Sequence, residues 1–214
     1  MGHEQVAALD RPRLVLASAS PARLRTLRGA GLDPEVVVSD VDEEGISAGT
    51  PAETALLLAR LKAFAVADRL AATAAPGTLV LGCDTLLELD GQALGKPGGA
   101  AEAVARWQQM RGRSGALHTG HCLVQLTEGR NREVTATATT GVHFADVSDD
   151  EIEAYAGSGE PLAVAGAFTL DGLGGAFVTG VTGDHHNVVG VSLPLLRRLL
   201  IDLGIAWPRL WARS

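Results

Sequence analysis

The residues best placed for chemistry lie in the stretch from Leu79 to Pro97, LVLGCDTLLELDGQALGKP. Its opening run, Leu79-Val80-Leu81, is bounded by Gly77 and Gly82, and predicts a short buried strand whose end delivers Asp84 into a loop or cleft. A second run, Leu86 to Leu89, leads to Asp90-Gly91, a strong hairpin signal, and the returning segment carries Lys96. An acid and a base are thereby brought back towards each other. The pair also fits plainer roles, with Asp84 capping a turn and Lys96 solvated at the surface.

A second group lies at Ser18-Ala19-Ser20-Pro21. A strand over residues 13–17 feeds a helix with Ser20 as N-cap and Pro21 at its first position. Free backbone N–H groups, the Ser18 and Ser20 hydroxyls, the positive end of the helix dipole and Arg23 then meet at one point. Such a point suits an anion, phosphate above all, although an ordinary Ser-Pro cap gives the same string. The acidic run Asp40, Asp42, Glu43 and Glu44 reads as a solvated loop or, beside a phosphate site, as hard oxygen ligands for Mg²⁺ or Mn²⁺. Lys62 borders the apolar stripe of a helix and either snorkels to solvent or points into the same cleft as Arg23.

These groups need a scaffold, and the chain supplies one in alternating elements. Thr50-Pro51-Ala52-Glu53 starts a helix with a capping box that runs to about Leu70, with Leu57, Leu58, Leu61, Phe64 and Ala65 as its predicted buried stripe. A second helix spans Ala100 to Met110 with Val104 and Trp107 inward. Residues 117–126 and 133–144 alternate as a pair of antiparallel strands. Ser148 to Glu151 is another capping box, and Ser192 with Pro194 opens a last, leucine-faced helix. Between them, residues 159–190 are glycine-dense and read as loops able to wrap a ligand, matching neither a Walker A loop nor a dinucleotide fingerprint. The pattern predicts one α/β domain with a mixed β-sheet, as a single block or as two lobes around a cleft.

Composition narrows the function. With 214 residues and 46% hydrophobic content the chain can bury a sizeable core. A net charge of −7 argues against general affinity for nucleic acid, so any bound anion must meet a local cluster of positive charge. Cys83 and Cys122 fit neither a zinc spacing nor a disulfide framework, which predicts reduced thiols and a cytoplasmic protein, with Cys83 as packing. Residues 1–12 lack a signal-peptide core and read as a loose N-terminal extension to a domain over 13–214. No stretch approaches the roughly 20 apolar residues of a membrane span.

Taken in order, the strings LASASPARL (16–24), DVDEE (40–44), LARLKA (58–63), GCDTLL (82–87), GKP (95–97), RSGALHTG (113–120), YAGSGEPLAVAGAF (155–168), DGLGGAFV (171–178) and NVVGVSLPLL (187–196) resemble the Maf family of nucleoside triphosphate pyrophosphatases. The resemblance covers residues 13 to 203. It implies an elongated mixed sheet flanked by helices, two lobes around a nucleotide-binding cleft, and commonly a homodimer. It also implies metal-dependent cleavage of a nucleoside triphosphate to the monophosphate and pyrophosphate, clearance of non-standard nucleotides, and a link to cell-division arrest. Position by position, Asp84 matches the family's proton acceptor; Lys62, Lys96 and Arg23 match its phosphate-handling bases. Glu43 falls on its metal-associated position, shared with Asp84, and Ser18 and Ser20 on the hydroxyls of the phosphate turn.

Two positions depart from the members that prefer dTTP and UTP. Ala22 replaces an arginine after the Ser-Pro motif, and Asp171 replaces a glutamine, although Thr85 fits their threonine. One cation lost and one carboxylate gained change the hydrogen bonds open to a base. Two other functions compete with this one. A nucleotide-binding regulatory module of cell division would have no need for Asp84, Lys62 and Lys96, and a phosphatase working through an aspartyl-phosphate would show Asp-x-Asp-x-Thr, which Asp84-Thr85-Leu86 does not supply.

Overall fold

A computed structural model describes residues 11–212. All but Arg11 and Pro12 of the expected N-terminal extension lie outside the described residues, and Arg11 donates to the Asp33 carbonyl at 3.2 Å.

The scaffold is a mixed, seven-stranded sheet. Strand β1 (Leu14–Leu16) lies parallel to both β2 (Glu35–Val36) and β3 (Leu79–Leu89). Beyond β3 the order continues antiparallel through β5 (Ser114–Gln125), β6 (Arg132–Phe144) and β7 (Val178–Thr182), while the short β4 (Gln92–Leu94) folds back on β3. The turn between β3 and β4 has Asp90 at φ 51° and Gly91 at φ 78°, the pair of positive values that a type I′ hairpin demands. One strand differs from expectation. Asp84 does not end a short strand but sits in the interior of the eleven-residue β3, opposite Gly120 of β5.

The helices begin where their caps predict. Ser20 accepts from the Arg23 N–H at the start of α1 (Pro21–Gly29), Thr50 from Glu53 N–H before α2 (Pro51–Leu70), and Ser192 from Leu195 N–H before the C-terminal helix. The box at Thr50 is half made, because the Glu53 carboxylate takes the Thr50 hydroxyl at 3.0 Å. After α3 (Ala100–Met110), a full capping box with Ser148 and Glu151 starts α4 (Asp149–Gly157). The glycine-dense stretch is more structured than a set of loops, holding β7, α5 (His185–Val189) and three 3₁₀ turns before α6 (Leu193–Asp202). Glu160 gathers that stretch, accepting from Tyr155 Oη at 3.2 Å, Leu173 N–H at 3.0 Å, Gly174 N–H at 3.1 Å and the Thr169 hydroxyl.

Helix α2 is turned differently from its leucine stripe. Its buried face is Ala55, Leu58, Ala59, Lys62, Ala63, Val66 and Ala67, and Leu61 is 37% exposed. The cause lies on the sheet beneath. A Cβ at Gly82 would strike the Ala59 carbonyl oxygen, and a Cβ at Gly120 the Ala55 carbonyl oxygen. Helix backbone and strand backbone are in direct contact there, which only small residues on both sides permit. An alanine face therefore faces inward, and Lys62 is carried inward with it.

The core divides around the middle of β3. One face of its first half packs Leu79, Leu81 and Cys83 with Leu27 and the leucines of α6; the other face packs Val80 with the alanines of α2. The second half places Leu87 and Leu89 with Trp107, Phe144, Tyr155 and Phe168. Asp84 and Thr85 lie between these two hydrophobic bodies, at the seam where a polar group can face a cleft.

Candidate active site

Lys62 and Asp84 meet at that seam. Lys62 Nζ lies 2.6 Å from Asp84 Oδ1 and 2.8 Å from Glu43 Oε1, with Asp84 7% and Lys62 8% exposed. Of the two readings of Lys62, the inward one is observed. Burial raises the Asp84 carboxyl above the ordinary carboxylate range, against the pull of the Lys62 and Arg23 charges in the opposite direction. Lys62 engages one oxygen of Asp84, and Asp84 Oδ2 makes no hydrogen bond among the described residues. The rest of the acidic run is dispersed: Asp40 pairs with Arg69 and Asp42 caps its own loop by accepting from Glu44 N–H at 3.0 Å.

Arg23 lies on the other side of Thr85. It is 9% exposed, and its guanidinium donates from Nε to the Gly190 carbonyl (2.8 Å), from Nη1 to Ser18 Oγ (3.0 Å) and from Nη2 to Thr85 Oγ1 (3.0 Å). Three of its five N–H groups are thus fixed by three separate elements, leaving two to meet an anion. Ser18 also accepts from Ser20 N–H at 3.2 Å and Ser20 from Arg23 N–H, so the serine turn expected before α1 is present with both hydroxyls engaged.

Three predicted site residues stand apart from this group. Lys96 is exposed in the turn after β4 and makes no side-chain hydrogen bond or ion pair among the described residues. Ala22 is half-buried in the first turn of α1. Asp171 pairs across the surface with Arg25 at 3.3 Å, so its added carboxylate is already partnered by a cation. Cys83, next to Asp84, is fully buried and its thiol is pushed up to about 12 by that burial, which leaves it a packing residue.

Several residues that support the site were not singled out from the sequence. Thr119, Asn187 and Gly190 stand behind Thr85 and Arg23, and His121 ties the start of α6 to β5. His121 donates from Nδ1 to the Thr119 carbonyl at 2.9 Å and accepts at Nε2 from Ser192 N–H at 2.8 Å, which fixes its neutral tautomer; burial pushes it down to about 4. The available signal was positional. Thr119 and Asn187 stand inside the strings RSGALHTG and NVVGVSLPLL, as polar residues amid apolar strand and helix patterns. Asp184, His185 and His186 also bring ligand atoms within 4.8 Å of one another, with Asp184 capping α5.

The comparisons agree with one another. The sequence model of the family described as Maf-like protein matches residues 13–203. A protein of Streptomyces coelicolor named nucleoside triphosphate pyrophosphatase is 61% identical over 202 residues, covering 94% of this chain and 96% of that protein. Proteins of the same name from Salinispora tropica and Cutibacterium acnes are 59% and 50% identical, covering 94% and 92% of this chain and 88% and 93% of their own lengths.

Proposed function

The chain belongs to the Maf-like protein family, and from that premise we propose that it is a nucleoside triphosphate pyrophosphatase with Asp84 as its general base. The observation that carries this reading is the ion-pair group of buried Lys62 and Asp84 with the exposed Glu43, one residue along the strand from the Arg23–Thr85–Ser18 cradle. Water adds to the α-phosphorus, the bond between that phosphorus and the bridging oxygen breaks, and pyrophosphate leaves with the electron pair. The proton of the attacking water goes to Asp84. A carboxylate made more basic by burial is better suited to take it than an exposed one. Lys62 and the two remaining N–H groups of Arg23 face the charge that gathers on the phosphoryl oxygens. Lys96, exposed at the end of the hairpin, is assigned to the outer phosphates.

The donor set fits a divalent metal, because Glu43 and Asp84 offer hard carboxylate oxygens and Asp84 Oδ2 is not taken by hydrogen bonding among the described residues. Glu43 and Asp84 are therefore the residues that would hold Mg²⁺ or Mn²⁺, and the ion when bound supplies further neutralisation of phosphoryl charge. The family resemblance also supports a homodimer, which light scattering of the purified protein reads directly.

The test is to incubate the protein with common and modified nucleoside triphosphates, with Mg²⁺ or Mn²⁺ and then with EDTA, and to resolve the products. Monophosphate and pyrophosphate, abolished by EDTA, are expected. Diphosphate and orthophosphate, or no turnover with any triphosphate, would overturn the proposal.

A further inference from the structure

Behind Arg23 runs a chain of hydroxyls whose proton directions can be assigned without seeing a hydrogen. Thr119 Oγ1 lies 3.0 Å from the Asn187 carbonyl oxygen, which can only accept, so Thr119 donates its one proton there. Thr85 Oγ1 lies 3.1 Å from Thr119 Oγ1. The Thr119 proton is already committed, so Thr85 must be the donor of that bond. Arg23 Nη2, which has no acceptor capacity, then donates to Thr85 at 3.0 Å. Every bond from the guanidinium to the Asn187 carbonyl points the same way.

The far end of the chain is itself held. Asn187 is fully buried, and its Nδ2 lies 3.2 Å from Leu117 O, 3.3 Å from Ala138 O and 3.2 Å from Thr140 Oγ1, acceptors that its two protons share. The turn that follows Asn187 carries Gly190, whose carbonyl holds Arg23 Nε. Gly190 has φ 110°, and a Cβ there would lie 3.1 Å from Arg23 Nε, so the same turn limits the guanidinium by contact as well as by hydrogen bonding. Thr119 is fully buried and cannot touch a bound nucleotide.

We infer that Thr119 is a positioning residue: by taking the Thr85 proton it commits the Thr85 hydroxyl to accepting from Arg23, and so aims the two unused guanidinium N–H groups at the anion. Thr85 thus shows a bound phosphate a lone pair and no proton, and binding in this corner falls to Arg23. The inference rests on the pyrophosphatase reading for the identity of the anion, while the arrangement itself concerns triphosphate binding and can be tested without turnover.

The experiment compares wild type, Thr119→Val, Thr119→Ser, Arg23→Lys and the Arg23→Lys/Thr119→Val double variant. The readouts are the Kd of a triphosphate analogue with a methylene group between its α- and β-phosphorus, and KM and kcat for the preferred triphosphate. Valine preserves the shape of threonine and leaves Thr85 free to turn. Thr119→Val is expected to raise Kd and KM about five- to tenfold, the scale of one lost hydrogen bond between neutral groups, with kcat changed less than KM. Thr119→Ser restores the hydroxyl and is expected to recover wild-type values. In the Arg23→Lys background, which lacks the Nη2 arm, Thr119→Val is expected to add less than about twofold. A wild-type Kd in Thr119→Val, or a full Thr119→Val loss persisting in the Arg23→Lys background, would overturn the inference. If wild type binds the analogue but releases no pyrophosphate from any hydrolysable triphosphate, the proposed function fails while the Kd series still decides the role of Thr119.

Discussion

Gly82→Ala tests whether the alanine face of α2 sets the reach of Lys62. The new Cβ would stand 2.7 Å from Ala63 N and 2.9 Å from Ala63 Cβ, besides striking the Ala59 carbonyl. Ordinary contact between such atoms begins near 3.4 Å and the Ala59 carbonyl oxygen would stand at 2.2 Å, so the helix must withdraw by about 1.2 Å. Carried rigidly, that shift stretches the Lys62 Nζ to Asp84 Oδ1 separation from 2.6 Å to about 3.8 Å, beyond a good charge-assisted hydrogen bond. Overpacking of this kind costs about 1–3 kcal/mol. For a chain of this length that is a Tm lower by roughly 2–12 °C. Turnover is expected to fall by about 10²-fold, the scale of a misplacement near 1 Å. Gly129→Ala is the control, since a Cβ there meets nothing within 4 Å. Thermal melts and steady-state turnover of the three proteins decide the matter. A Gly82→Ala protein with wild-type Tm and turnover would refute the claim that backbone contact positions the lysine.

Asp84→Asn is expected to remain folded by circular dichroism and to bind triphosphate, with turnover reduced by roughly 10²-fold or more; near-normal turnover would remove Asp84 from its role. Because the base must be ionised, kcat/KM is expected to fall with decreasing pH as Asp84 takes a proton, at a value that burial moves up and a cation held by Glu43 and Asp84 moves down. Lys62→Met removes a charge that pulls the carboxyl down, so the residual activity of that variant is expected to show its acid limb at still higher pH; an unmoved limb would count against the pairing. Ala22→Arg combined with Asp171→Gln is expected to shift preference towards pyrimidine triphosphates and to free Arg25 from its partner. An unchanged substrate ranking in a competition assay would show that these positions do not read the base.

What could be read from the sequence was chiefly what is decided within a few residues. Serine caps, prolines at first helical positions and the Asp90-Gly91 turn act through neighbouring backbone groups, and the helix starts and the hairpin stand where they predict. The inward face of α2 was not legible, because it depends on Gly82 and Gly120, strands apart in sequence from the alanines they meet. Leucine periodicity pointed to Leu57 and Leu61, whereas close backbone approach selected Ala55, Ala59 and Ala63. Gly82 reads as the end of the apolar run, with Asp84 beyond it, whereas that glycine is an interior position of β3 where α2 comes close. The site followed the same division. Ser18, Ser20 and Arg23 share one turn and were visible together, whereas Thr119 and Gly190 are joined to them only by the folded sheet.

The bond from Arg23 Nε to the Gly190 carbonyl spans 167 positions of sequence. On a ribosome, α1 emerges long before the turn that completes its arginine cradle, at synthesis rates of about 5–20 residues per second. A nascent chain ending before Gly190 can already contain Asp84, Lys62 and Glu43 yet lack the contact that holds the guanidinium. On the function proposed above, that corner becomes able to take a triphosphate only once the C-terminal segment has docked, and ordering of Arg23 in a stalled-chain or refolding experiment reports that docking.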